Sequence, residues 1–333
     1  MRTPRMIAAA LVALGLLVCL PLLLSGHQMH VAIQIMLFAY LSLCWNILGG
    51  FAGQLSFGHA LFMAVGAYTS TVLLLRTGLS PWIGMVAGGV LSALLGLFIG
   101  YLSFRYRIKG TYFALVTLAF TEVGRIVALN TEAVGGAMGL YIPIQTNELW
   151  QLKFVDKSRY YYVMLAFLIL AMAVTAWLER SAIGHRLIAI RENEDAAQAL
   201  GINLLRYKLF ATALSAFLAA LGGTLYAHYV TFIDPSTLLS MNMALEITIY
   251  AIVGGIGTLL GPLLGAAFLL PVAELVRATL GHSYAGVHLV VYGAVLIAVI
   301  LYAPDGFMGL IRSWRASRRI GGRARAMVTG AGS

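Results

Sequence analysis

Long apolar runs, separated by short stretches in which most of the charge collects, dominate the chain. A helix needs about 20 apolar residues to cross a hydrocarbon core about 30 Å thick. On that ruler the pattern predicts spans at 6–24, 31–50, 57–75, 82–104, 111–129, 160–178, 208–230, 242–257, 262–280 and 286–303. The expectation is an all-α integral membrane protein of about ten transmembrane helices. Runs 57–75 and 242–257 adjoin glycine clusters and are the candidates for short or re-entrant elements. The first run follows Arg2 and Arg5, and Ser25-Gly26-His27 after it offers no small-x-small cleavage site, so it reads as a membrane helix rather than a leader.

The basic residues orient these spans. If the N-terminus is cytoplasmic, the segments 1–5, 105–110, 179–208 and 304–333 lie inside and hold 16 of the 22 Lys and Arg. That asymmetry predicts a multi-pass protein of the cytoplasmic membrane with both termini inside. The chain then divides into a transmembrane domain, 1–303, with a long inner loop at 179–207, and a basic cytoplasmic tail, 304–333. The six Arg from Arg312 to Arg325 suit contact with anionic lipid head groups. The net charge of +10 is juxtamembrane in this arrangement, so no nucleic-acid partner is expected. Composition agrees: 61% of residues are hydrophobic, 10% are charged and mean hydropathy is +0.90. The 36 Gly suit close approach of membrane helices. Cys19 and Cys44 each lie inside an apolar run and read as free thiols. Two five-span halves of opposite orientation, an inverted repeat, are allowed by the count.

Four segments carry candidate chemistry. In Gly49–Ala60, small residues bracket Gln54, Ser56 and His59 where one span ends and the next begins. Two readings stand: a broken helix lining a translocation path, or tight packing with His59 hydrogen-bonded to a neighbour. In Gly254–Gly265, the residues Gly257, Gly261 and Gly265 recur every fourth position, which predicts a smooth helix face for a close partner. Glu122 with Arg125, and Glu274 with Arg277, stand three apart, as internal ion pairs do. Glu246 has no such neighbour and is a candidate for the path, or else a hydrated carboxylate near the outer interface. Finally, Arg186–Leu200 favours one short helix stopped by Gly201. Leu187, Ile190, Ala197 and Leu200 among its mixed charges suit docking to a cytoplasmic partner, or a solvated connector.

The chain has no Gly-x-x-x-x-Gly-Lys-Ser/Thr loop to cradle phosphates, and neither His-Glu-x-x-His nor Gly-x-Ser-x-Gly. The inner loop carries Asp195-Ala196-Ala197 with Gly201 four residues beyond Ala197, within Ala189-Ile190-Arg191-Glu192-Asn193-Glu194 and Ala199-Leu200-Gly201. With Gly53-Gln54-x-Ser56-x-Gly58-His59-Ala60, Gly110-x-Tyr112-Phe113-Ala114, Gly135-Gly136-x-x-Gly139-Leu140 and Gly254-Gly255-x-Gly257-Thr258-x-x-Gly261-Pro262, it resembles the permeases of branched-chain amino acid ABC importers, specifically their M subunit. The resemblance covers roughly residues 45–265. Asp195 stands where the general motif has Glu, and His185 where the subfamily usually has Arg.

This resemblance implies the ten-helix importer fold of the vitamin B12 type in a bacterial inner membrane. It implies a transport subunit and not an enzyme, which itself holds no cofactor, with ATP and Mg used by two partner ATPases. A homologous second permease and a periplasmic or extracellular binding protein are the other implied partners, beside membrane lipid. Arg191, Glu192, Glu194, Asp195, Ala196, Ala197 and Gly201 are the implied ATPase-coupling residues; Gln54, Ser56, His59 and Glu246 remain the candidates for the path. The implied substrates are Leu, Ile or Val, with urea or short-chain amides as the alternative within the family. An ion-coupled secondary transporter using Glu246 and His59 is the alternative outside it.

Overall fold

A computed structural model of the chain describes residues 15, 17–22, 24–143, 149–154, 156–280, 293–294, 297, 301 and 306–309. The long helices are α1 (Gly26–Asn46, prolonged by a π-helical turn, Ile47–Phe51), α2 (His59–Thr77), α3 (Pro81–Arg105), α4 (Thr111–Leu129) and α5 (Lys157–Arg180). Two short helices, α6 (Ala182–Glu192) and α7 (Glu194–Ala199), precede α8 (Leu204–Val230), α9 (Met241–Gly254) and α10 (Gly261–Leu280). Among the described residues, seven helices are long and apolar enough to cross a membrane, the last formed by a helical turn, Pro235–Leu238, together with α9. The shorter apolar helix Gly261–Val276 adds to them. Each expected span from 31–50 to 262–280 thus has its helix. The run 57–75 is a 19-residue helix, and 242–257 is lengthened at its start by the Pro235–Leu238 turn. Most of the runs 6–24 and 286–303, and nearly all of the tail 304–333, lie outside the described residues.

The helix starts are written in short polar side chains. Ser80 Oγ accepts from Trp82 N ahead of α3, where Pro81 occupies the first helical position. Asp156, Asn203 and Ser240 accept from Ser158 N (2.9 Å), Arg206 N (3.1 Å) and Met243 N (3.1 Å) at α5, α8 and α9. Each satisfies a backbone donor that the first turn leaves open.

α1 is the central post, and from Met36 to Leu48 it is buried on every side. A helix that is apolar all round belongs in such a place. The tightest packing joins α2, α3 and α8, and here glycine is needed: a methyl group on Gly66 or Gly223 would strike the backbone of Ala220 or Met63. In lipid, helices associate through such close approach and through interhelical hydrogen bonds. Tyr40 OH donates to Leu218 O (2.7 Å), Ser42 Oγ to Ile247 O (2.8 Å) and Ser92 Oγ to Ala216 O (3.0 Å). Cys44 is buried, Cys19 is exposed, and both are free thiols.

α4 is the least covered of the spans. Phe113, Ala114, Thr117, Thr121 and Ala128 face inward, while Tyr112, Leu115, Ala119, Glu122 and Ile126 are exposed. At one end of the bundle, β1 (Leu140–Tyr141) pairs antiparallel with β2 (Phe232–Ile233), Leu140 opposite Ile233. The opposite end gathers the segments 105–110 and 181–203.

Candidate functional site

The basic end is built on a broken helical loop. Ser181 Oγ accepts from Gly184 N (3.0 Å) to start α6, which buries Leu187 and Ile190. At Asn193 the backbone turns extended (φ −159°, ψ 111°), and its Oδ1 accepts from Ala196 N (3.0 Å) to start α7. The single helix expected over 186–200 is therefore two. A mid-helix Asn competes with the helix by capping, and here the cap prevails. Gly201, at φ +80°, ends α7 in the left-handed conformation that favours glycine.

Among the described residues, Arg186 of this loop donates to Tyr207 OH of α8, and two further residues tie the loop to the bundle. Glu194 meets Lys208 of α8 (Nζ–Oε1 2.5 Å) and Lys109 of the α3–α4 loop (Nζ–Oε2 3.1 Å), with Gln54 Nε2 at 3.5 Å. Burial pushes the Glu194 carboxyl up, but hydrogen bonds from Lys208 and Lys109 outweigh it and hold it below the usual carboxylate value. Arg191 donates through Nη1 to Gly50 O (2.9 Å), while its Nε and Nη2 hold Glu192 Oε1 (3.1 and 2.7 Å). Glu192, Asp195 and Ala196 are exposed, whereas Ala197 is buried against the bundle. Leu200 is 81% exposed and is the large apolar residue of this outward face. The sequence alone does not single out Lys109 or Lys208, since nothing in it says they share a carboxylate. Asn46, which lies outside the candidate segments read from the sequence, is a polar residue in an apolar run. Its Oδ1 accepts from Gly257 N (2.8 Å), and its Nδ2 donates to Thr258 O (3.0 Å).

The remaining candidates separate. Gln54 and Ser56 lie in the break between α1 and α2, His59 is the first residue of α2, and all three are buried. Ser56 O accepts from Trp45 Nε1 (2.7 Å), and Gly58 N donates to Ser56 Oγ (3.1 Å). His59 Nε2 lies 2.7 Å from Ser215 Oγ. Ser215 donates its hydrogen to Cys44 O (2.7 Å), so the histidine is the donor to Ser215. Among the described residues, Gln54 Oε1 and His59 Nδ1 are buried without a hydrogen-bond partner. Glu246 is elsewhere, in the wall of a cavity of about 860 Å³ near the strand-bearing end, with His30, Gln34, Lys157, Tyr229 and Glu274. Glu122 and Arg125 form their ion pair (Nε–Oε2 2.9 Å) on the exposed face of α4. The side chain of Arg277 lies outside the described residues.

Gly257, Gly261 and Gly265 do not make one helix face. Gly257 stands at φ +71° in the loop before α10, Gly261 opens the helix, and only Gly265 lies within it, where a Cβ would strike the backbone of Tyr250. The four-residue spacing imitates a helical repeat that the chain interrupts.

The family model described as branched-chain amino acid transport system, permease component, matches residues 29–300. The chain belongs to this family. The high-affinity branched-chain amino acid transport system permease protein LivM of Escherichia coli is 31% identical over 322 residues, 90% of this chain and 74% of the relative. The LivM protein of Salmonella typhimurium is 30% identical over 88% of this chain and 72% of its own length. The probable LivH permease of Methanocaldococcus jannaschii is 28% identical over 80% and 85%. No solved structure matches the chain. It is a multi-pass membrane protein whose relatives are transport permeases.

Proposed function

We propose that this permease is one half of the membrane pathway of an ATP-driven importer of branched-chain amino acids. In this reading it sits in a bacterial cytoplasmic membrane, with both termini and the 181–201 loop on the ATP side. The observation that carries the reading is the two-sided character of that loop. Glu194 and Arg191 fasten it inward, while Asp195, Ala196 and Leu200 are left facing outward from the bundle. Such a face suits a soluble ATPase, which would consume ATP and Mg outside this chain. Ala197 and Gly201 then hold the face in shape.

The exposed face of α4 suits the second permease. It carries the Glu122–Arg125 pair within a helix long and apolar enough to span, and a charge pair turned to lipid is costly. A homologous chain across this face would cover the pair or line it with water, and relatives of both the LivM and LivH kinds are consistent with a pair of permeases. The cavity holding Glu246 opens at the end assigned to the binding protein. Ten spans of the vitamin B12 importer type, an inverted repeat and the basic tail at 304–333 belong to the same proposal. Alternating access then biases two packings of the helices and needs no covalent chemistry. Gln54, Ser56 and His59 stand at the α1–α2 break, where two unsatisfied acceptors are available to a second packing.

Reconstitution with the second permease, the ATPases and the binding protein tests the reading. Uptake of radiolabelled leucine into proteoliposomes should require ATP and withstand uncouplers. Uptake driven by an ion gradient without ATP overturns it.

A further inference from the structure

Three glycines from two distant parts of the chain converge on one side chain of the loop. The stem of Arg191 crosses Gly53, where a Cβ would lie 2.6 Å from Arg191 Cγ, 3.1 Å from its Cβ and 3.2 Å from its Cα. Its head enters between Gly50 O, the hydrogen-bond acceptor at 2.9 Å, and Gly257, where a Cβ would lie 2.5 Å from Nη1. Gly53 and Gly257 hold φ of +66° and +71°, so the backbone on either side is shaped to admit the arginine. Asn46 closes the arrangement from behind by bonding both Gly257 N and Thr258 O.

Gly50 belongs to the π-helical turn that ends α1, and Gly257 to the link between α9 and α10. π-Helical turns inside longer helices are points at which the regular ladder is already interrupted. One guanidinium thus connects the loop to the ends of the central post and of the neighbouring pair of helices. The group is well chosen for this. Two of its nitrogens are held by Glu192, which fixes the plane, and the third is left for Gly50 O. A lysine ammonium can reach one of these acceptors but has no rigid fork to serve both. Glu194, another tie, reaches the α3–α4 loop, α8 and Gln54, and Arg186 reaches Tyr207 of α8. Arg191 is the tie that meets the α9–α10 link, at Gly257.

We propose that Arg191 is a positioning residue that transmits movement of the 181–201 loop to the π-helical end of α1 and to the α9–α10 link. This rests on the ATPase-coupling reading of the loop and adds the route by which the movement enters the bundle. Arg191 reaches inward to Gly50 and Gly257 while its side chain stays 33% exposed beside Glu192, and Asp195, Ala196 and Leu200 form the rest of the exposed face. ATPase docking and force transmission are therefore separable by mutation.

The test uses the full complex in proteoliposomes, with Arg191→Ala and Arg191→Lys beside the parent. ATPase co-purification, ATP hydrolysis with and without loaded binding protein, and leucine uptake are measured on each. For Arg191→Ala the ATPases should co-purify and hydrolysis persist. Uptake per ATP should fall about ten-fold, within the usual range of coupling between sites, and stimulation by the loaded binding protein should be lost. Arg191→Lys, which keeps the stem across Gly53, should recover part of the uptake and thus separates a transmission defect from a folding defect. Loss of the ATPases from Arg191→Ala would make the residue a docking contact and overturn the proposal while leaving the coupling reading intact. Unchanged uptake per ATP in both variants overturns it too. A parent complex that transports without ATP brings down the coupling reading itself.

Discussion

Replacing Glu194 by alanine takes away the carboxylate that pairs with Lys208, whose side chain is only 4% exposed. Losing one partner of a fully buried ion pair costs about 3–5 kcal/mol, because the remaining charge has neither water nor a counterion. Glu194 keeps 15% exposure, so some water already reaches the site. The expected cost is about 2–3 kcal/mol, a factor of roughly 30 to 150 in the equilibrium between the docked and released loop. Lys109 decides little of this, since its side chain is 49% exposed and an exposed pair contributes about 0–1 kcal/mol. Limited trypsin digestion of inside-out vesicles reads the equilibrium through cleavage at Arg186, Arg191 and Arg206. Glu194→Ala should raise the cleavage rate by that factor, and Lys109→Ala by less than about five-fold. The double variant Glu194→Ala with Lys208→Met removes both charges and should recover much of the protection. Equal cleavage of the parent and Glu194→Ala would refute the idea that this pair fastens the loop. A double variant no better than the single would refute the attribution to an unpaired buried charge.

The same carboxylate sets a pH dependence. Its folded value lies below the usual one, so its contribution to docking is present above the unfolded carboxylate value of about 4.3 and is lost as pH falls through the lower folded value. Trypsin being inactive there, pepsin digestion of vesicles should show protection at pH 5 giving way only at distinctly lower pH; loss of protection between pH 7 and 5 contradicts this. Gly223→Leu puts side-chain carbons into the backbone of Met63, where neither helix can yield locally. It should cost about 1–3 kcal/mol or more and lower the melting temperature in detergent, whereas an unchanged melting curve would count against the α2–α8 packing. Ala196→Trp changes an exposed position and should leave that curve in place while ATPase co-purification falls.

The spans were legible because lipid imposes a length and a polarity that no tertiary detail alters, and Thr111–Leu129 coincides with the run read from the sequence. Convergence was legible only in part. The segments around Gly50, Arg191 and Gly257 each stood out as motifs, but nothing in a linear pattern says that they meet. Asn193 defeated the helical reading because its neighbours on both sides are helix formers, and only its extended backbone reveals the cap. Gly257 misled for the opposite reason, as a regular spacing that a positive φ breaks. The triad of Lys109, Glu194 and Lys208 spans three separate elements, and an ion pair carries no signature until the helices are in place.

The central claim is that the 181–201 loop lies on the ATP side and is held by the partner ATPase. A single cysteine introduced as Ala196→Cys, with Cys19→Ser and with Cys44 left in the buried core, tests it by reaction with a membrane-impermeant maleimide. The cysteine should stay unlabelled in intact cells, react in inside-out vesicles stripped of ATPase, and be shielded when the ATPase is added back. Labelling from outside intact cells contradicts the account.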